Sequence, residues 1–142
     1  MQEQNFSNHS RFVTLYHYIT TPLLVVILTG SIVNWCNSSN DNLYSASLIA
    51  TLTIALSLTF YFARAFALKA NDRAIRAEEN FRHFILTGKP LPEGLRLSQI
   101  VALRFASDAE FPALASKAVT EKISAKAIKQ SIVNWKPDYN RV

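Results

Sequence analysis

Residues 12–63 carry a single formal charge, Asp41, over 52 positions, and nothing else in the chain restricts its fold so strongly. Soluble helices of this length would need charged faces, and none appear in this block. The charge is concentrated beyond it. Residues 64–142 hold 14 of the 15 basic and 8 of the 10 acidic residues, a net of +6. The expectation is therefore a membrane-embedded half followed by a basic aqueous half.

The block divides into two uncharged runs. Residues 12–33 are 22 positions centred on Leu23-Leu24-Val25-Val26-Ile27-Leu28, and residues 43–63 are 21 more, richer in Ser and Thr. At about 1.5 Å per residue each is long enough to cross a hydrocarbon core of about 30 Å. Ser and Thr hydroxyls can bond back to the preceding helical turn, which lowers their cost in lipid. The connection, Cys36-Asn-Ser-Ser-Asn-Asp-Asn42, is short and made of turn formers, so the two helices are expected to run antiparallel.

Basic residues set the orientation. The loop has none, whereas Arg11 precedes the first run and Arg64, Lys69, Arg73, Arg76 and Arg82 follow the second. The positive-inside rule then predicts both termini in the cytoplasm. Phe12, Tyr16 and Tyr18 fall at one interface with Phe60, Tyr61, Phe62 and Phe66, and Trp35 and Tyr44 at the other. Pairing of helices in lipid relies on close packing. Ala46, Ala50, Thr53 and Ser57 form a small-residue stripe at helical spacing, and Thr21 and Ser31 fall on the expected facing stripe of the first run with Thr14, His17, Leu24 and Leu28. Pro22 is expected to bend the first helix, with Thr20 or Thr21 satisfying the freed carbonyl.

Beyond Arg64 the residues up to Leu86 include no Gly or Pro, so one helix is predicted from about Leu43 to Leu86. Asp72–Arg76 and Glu78–Arg82 are expected i,i+4 pairs. Gly88-Lys-Pro-Leu-Pro-Glu-Gly94 reads as a hinge or extended linker. Three short helices are predicted after it: about Ser98–Ala106, a second opened by a capping box at Ser107-Asp-Ala-Glu110, and a third capped by Ser124 and ending near Trp135. So small a domain needs support from the long helix, the membrane or a partner. The fold class expected is all-α: a transmembrane helical hairpin whose second helix extends into the cytoplasm, then a small domain of three short helices. The segments are a tail over 1–11, spans over 12–36 and 43–66 joined by an external loop over 37–42, a helical continuation over 67–87, a linker over 88–96 and a domain over 97–142.

No chemistry-bearing constellation emerges. His9, His17 and His83 are scattered, three glycines cannot build a phosphate loop, and Cys36 is the only cysteine. The first apolar run is too long for a signal peptide and no small-residue cleavage site follows it. No catalytic residue, metal site or cofactor is expected, and His17 reads as a neutral side chain bonded to a neighbouring Thr or the second helix.

Several stretches resemble an uncharacterised bacterial family of small two-span membrane proteins, a domain-of-unknown-function family. They are Glu3-Gln-Asn-Phe6 with Asn8-His9; Arg64-Ala-Phe-Ala-Leu-Lys69 with Asp72-Arg73 and Ile75-Arg76; Gln99-Ile-Val-Ala-Leu-Arg-Phe-Ala-Ser-Asp108; and a tail with Ile128-Lys129, Ile132, Trp135, Asp138-Tyr139 and Arg141-Val142. The resemblance spans nearly the whole chain. It implies the same topology in a bacterial inner membrane with a cytoplasmic helical tail, and it brings no activity. These motifs flank the spans, so the N-terminal segment, residues 64–76 and the tail are expected to converge at the membrane face. Arg64, Lys69, Arg73, Arg76, Trp135, Tyr139 and Arg141 are the expected contacts to a membrane surface or partner.

The function expected is a non-enzymatic accessory or scaffold subunit in the lipid bilayer, docking on other membrane proteins or on itself. One alternative is a basic module for anionic lipid or for RNA at a ribosome, with nucleic acid disfavoured because no base-stacking motif accompanies the charge. Another is a transporter or permease component.

Overall fold

A computed structural model describes residues 4–8 and 12–138. Among these residues every regular element is helical. A π-helical stretch, Leu15–Thr20, leads into α1 (Thr21–Cys36), followed by α2 (Leu43–Thr87), α3 (Leu97–Leu103), α4 (Phe111–Thr120) and α5 (Ala125–Ser131). The chain divides into two compact units: Arg11–Phe66, and Ala67–Val142 together with Met1–Ser10. Leu15–Cys36 and α2 are each long and apolar enough to cross a membrane.

In the first unit the residues just before Pro22 are π-helical. A proline ring collides with the carbonyl one α-turn back, and the chain widens into π turns just before it. Thr20 and Thr21 do satisfy carbonyls, but those of Leu15 and Tyr16, at 2.9 and 2.7 Å, five residues back. At the other end of α1, Asn37 Nδ2 donates to Val33 O and Ser38 Oγ to Asn34 O, closing carbonyls that the helix end leaves open. Along α2, the hydroxyls of Thr51, Thr53, Ser57 and Thr59 each donate to the carbonyl four residues back at 2.8–2.9 Å.

In the second unit α2 ends at Gly88, whose φ of 72° is one that glycine adopts without a Cβ penalty. The segment that follows is pinned and does not form a free hinge. Lys89 O accepts from the buried His83 ring at 2.8 Å, and Leu91 N donates to Asn80 Oδ1 at 2.9 Å. The chain thus folds back along α2 and lays Leu91 and Leu95 against the core. That core is centred on Leu103, Phe105, Phe111 and Ile128, all fully buried. The domain leans on α2, which contributes buried Ile75, Glu79 and His83.

Two sequence expectations change here. Ser107–Glu110 does not open α4 as a capping box. The helix starts at Phe111 with Pro112 in its first turn, and the Glu110 carboxylate is committed elsewhere, accepting from Val133 N at 3.2 Å and Asn134 N at 2.9 Å. The third helix keeps its Ser124 cap, whose Oγ accepts from Ala127 N at 3.1 Å. It stops at Ser131, however, and does not reach Trp135. Residues beyond it run extended beside residues 105–107: Ser107 N donates to Asn134 O and Lys136 N to Phe105 O, at 3.1 and 2.7 Å. The amides that Glu110 captures are the ones a longer α5 would need, and Pro137 disfavours helical geometry at Lys136.

Candidate functional site

The first unit buries Ala46, Ala50 and Thr53 on α2 and Ser31 on α1, with Ser57 half-buried. Thr21 is exposed and Thr20 is half-buried, because π turns advance the chain differently from the 3.6-residue spacing used to place Thr21. An aromatic cluster forms near the start of the first helix. The Tyr16 ring stacks on Phe60 with centroids 4.2 Å apart and planes 9° apart. The guanidinium of the half-buried Arg64 lies 4.8 Å above the same Tyr16 ring. Among the described residues His17 bonds neither a threonine nor α2: its Nδ1 lies 3.2 Å from Val13 N and 3.0 Å from Val13 O, so it closes the start of its own helix.

In the second unit the polar side chains converge on Arg82. Its Nη1 bonds Glu79 Oε2 at 3.0 Å, its Nε and Nη2 reach Asp108 Oδ1 at 2.7 and 2.6 Å, and Nη2 also donates to Ala106 O at 2.7 Å. The guanidinium lies 4.5 Å above the Phe111 ring. The expected partner, Glu78, is replaced by Glu79 at i−3 and by an acid from another part of the chain. Burial raises the Glu79 pKa, against the opposing pull of Arg82. Bonds from Arg82 lower that of the exposed Asp108. For Glu110, desolvation pushes the carboxyl up, and the hydrogen bonds from Asn134 and Val133 outweigh it to leave it lowered.

Two amides act as clamps. The buried Gln99 accepts from Arg96 N at 2.7 Å and donates to Ala118 O and Ile123 O at 3.1 and 2.8 Å, so one side chain ties α3 to the end of α4. Gln4 reads the backbone of Asp138 from both sides, accepting from its N–H at 2.8 Å and donating to its carbonyl at 3.5 Å. The Asp138 carboxylate in turn pairs with Arg104 at 3.2 Å. The Gln4–Asn8 segment holds its own turn through Asn5 Oδ1, which accepts from Ser7 and Asn8, and Asn8 Oδ1, which accepts from Asn5 N. The N-terminal segment and the tail therefore meet at Asp138.

The remaining candidates separate. Trp135 is half-buried with its ring 5.1 Å from Phe105, taken up by the core. Lys69 is exposed. Tyr139 and Arg141 lie outside the described residues. Arg73 and Arg76 come together, lining a cleft of about 470 Å³ with Asn80, Leu91, Glu93 and Leu95. Sequence reasoning missed Asn80 and Gln99 as partners because they bond to residues whose positions depend on the tertiary fold, and missed Glu79 because burial favours it over Glu78 for Arg82. For the buried Glu79 and Gln99 the signal was a polar side chain on the core-facing side of the helix; for the exposed Asn80 there was none. Among the described residues no group of three or more His, Cys, Asp or Glu is placed to hold a metal ion.

Arranged this way, the Gln99–Asp108 motif is a folding device. Gln99 clamps, Ile100, Ala102, Leu103, Phe105 and Ala106 fill the core, and Arg104 and Asp108 bind Asp138 and Arg82. No curated protein and no solved structure matches the chain. A family model does match it over residues 1–142, the full span in which the motifs of both termini, the long helix and the clamp occur, and the chain belongs to that family, a family of unknown function (DUF6526).

Proposed function

We propose that this is a non-enzymatic integral membrane subunit, anchored by an antiparallel two-helix hairpin with both termini at the cytoplasmic face of a bacterial inner membrane, whose folded domain docks on a larger membrane complex. One observation carries the docking half of this reading. In the charged part of α2, Phe81, Phe84 and Ile85 are 65%, 52% and 66% exposed, at i, i+3 and i+4 on one helix face. Contiguous apolar surface outside lipid marks a partner site on a soluble domain. The anchoring half is supported by the helix lengths, by hydroxyls that return to their own backbone, and by the basic residues after the second span.

Purification from mild detergent, followed by mass spectrometry and repeated with Phe81→Ser/Phe84→Ser, tests it. The expected outcome is a membrane protein recovered in fixed ratio with the native chain and lost with the double variant, while the variant still inserts. Recovery of the native chain only as an isolated monomer, or partner recovery indifferent to the variant, contradicts it.

A further inference from the structure

We propose that the cleft between α2 and the turn after it binds a phosphomonoester that carries an apolar body, a ligand class that goes beyond the docking role and does not depend on it. Arg73, Arg76 and Asn80 lie on one face of α2 at i, i+3 and i+7, and all three line the cleft. Neither guanidinium makes an ion pair or a side-chain hydrogen bond among the described residues. This contrasts with Arg82 and Arg104, each committed to an acid. Leu91 N holds Asn80 Oδ1 at 2.9 Å, which fixes the carboxamide and leaves its NH2 as a positioned donor. Glu93 is the one acid in the lining, so two guanidiniums outweigh it and the lining is net positive.

The opposite wall is apolar: Leu91, Pro92, Leu95 and Ile100, with Ala77 on the helix side. A volume of about 470 Å³ suits a small organic molecule better than a bare ion. Planar guanidiniums match phosphate oxygens in two-point fashion, and a dianion gains most from two of them. The same chemistry is offered by a free phosphomonoester or by the headgroup of phosphatidic acid.

The test uses the full chain in nanodiscs. Binding of phenyl phosphate is measured by calorimetry in phosphatidylcholine discs, and binding of phosphatidic acid by its enrichment around the protein in mixed discs. The variants are Arg73→Gln/Arg76→Gln, Ala77→Phe, which fills the cleft without changing charge, and Lys122→Gln/Lys126→Gln as a charge-matched control elsewhere. The expected result is at least a tenfold loss of phenyl phosphate binding in the first two and no change in the control. Enrichment of phosphatidic acid with the same variant pattern, without phenyl phosphate binding, assigns the cleft to a lipid headgroup and also supports the proposal. Equal losses in the control, insensitivity to Ala77→Phe, or no binding of either probe overturns it.

Discussion

At the scale of single residues, the second unit is held by polar side chains that each serve several partners. Arg82 bonds two acids, a carbonyl and a ring, and its two acids respond to pH in opposite senses. The Asp108 pKa is lowered on folding, so its contribution is complete above the unfolded value and is lost as pH falls through the folded one. The Glu79 pKa is raised by burial, so its contribution is complete below the unfolded value and is lost as pH rises through the folded one. Unfolding followed at Trp135, in a Trp35→Phe background, should therefore show Asp108→Asn most costly near neutral pH, with the deficit shrinking as pH falls below the unfolded aspartate value of about 3.9. Glu79→Gln should move the other way, gaining on the native chain as pH rises above the unfolded glutamate value of about 4.3. Parallel responses of the two variants would contradict the assignment. The bonds from Arg82 to Asp108 and Ala106 were not visible in the sequence. Helical spacing offers Arg82 both Glu78 and Glu79, and only the position of Asp108 and the core decides between them.

Among the elements, what could be read depended on whether local rules governed. The extent of α2 follows from a run without glycine or proline that Gly88 ends, and the Ser124 cap follows from one side chain and the next turn. The start of α4 and the end of α5 did not, because Glu110 bonds amides 23 and 24 residues away. Thr21 is exposed, and the π turns before Pro22 have no sequence period of their own. The small-residue stripe on α2 yields a direct expectation. Ala50 is fully buried while Ala55 is exposed. Ala50→Leu should destabilise the first unit by about 1–3 kcal/mol through overpacking, and Ala55→Leu should leave it within about 0.5 kcal/mol. Thermal unfolding in the same detergent measures both, and equal effects would contradict a packed face at Ala50.

For the whole molecule, the division between a nearly uncharged unit and a charged one was the most legible property, because it needs only a count of charges along the chain. The cleft at Arg73 and Arg76 was legible only in its basic half. Its apolar wall comes from a segment that the sequence presented as a hinge or extended linker, and Asn80 bonds it at Leu91 N. The proposed function requires that the two apolar helices cross a bilayer as a hairpin with both termini on the cytoplasmic face. Cys36, exposed at the end of α1 and beside the connecting loop, is a natural reporter. The measurement is its reaction with a membrane-impermeant maleimide in intact cells, beside that of Ser116→Cys in a Cys36→Ser background. The prediction is that Cys36 reacts in intact cells and Ser116→Cys only after permeabilisation. Reaction of Ser116→Cys in intact cells, or of Cys36 only after permeabilisation, would contradict it.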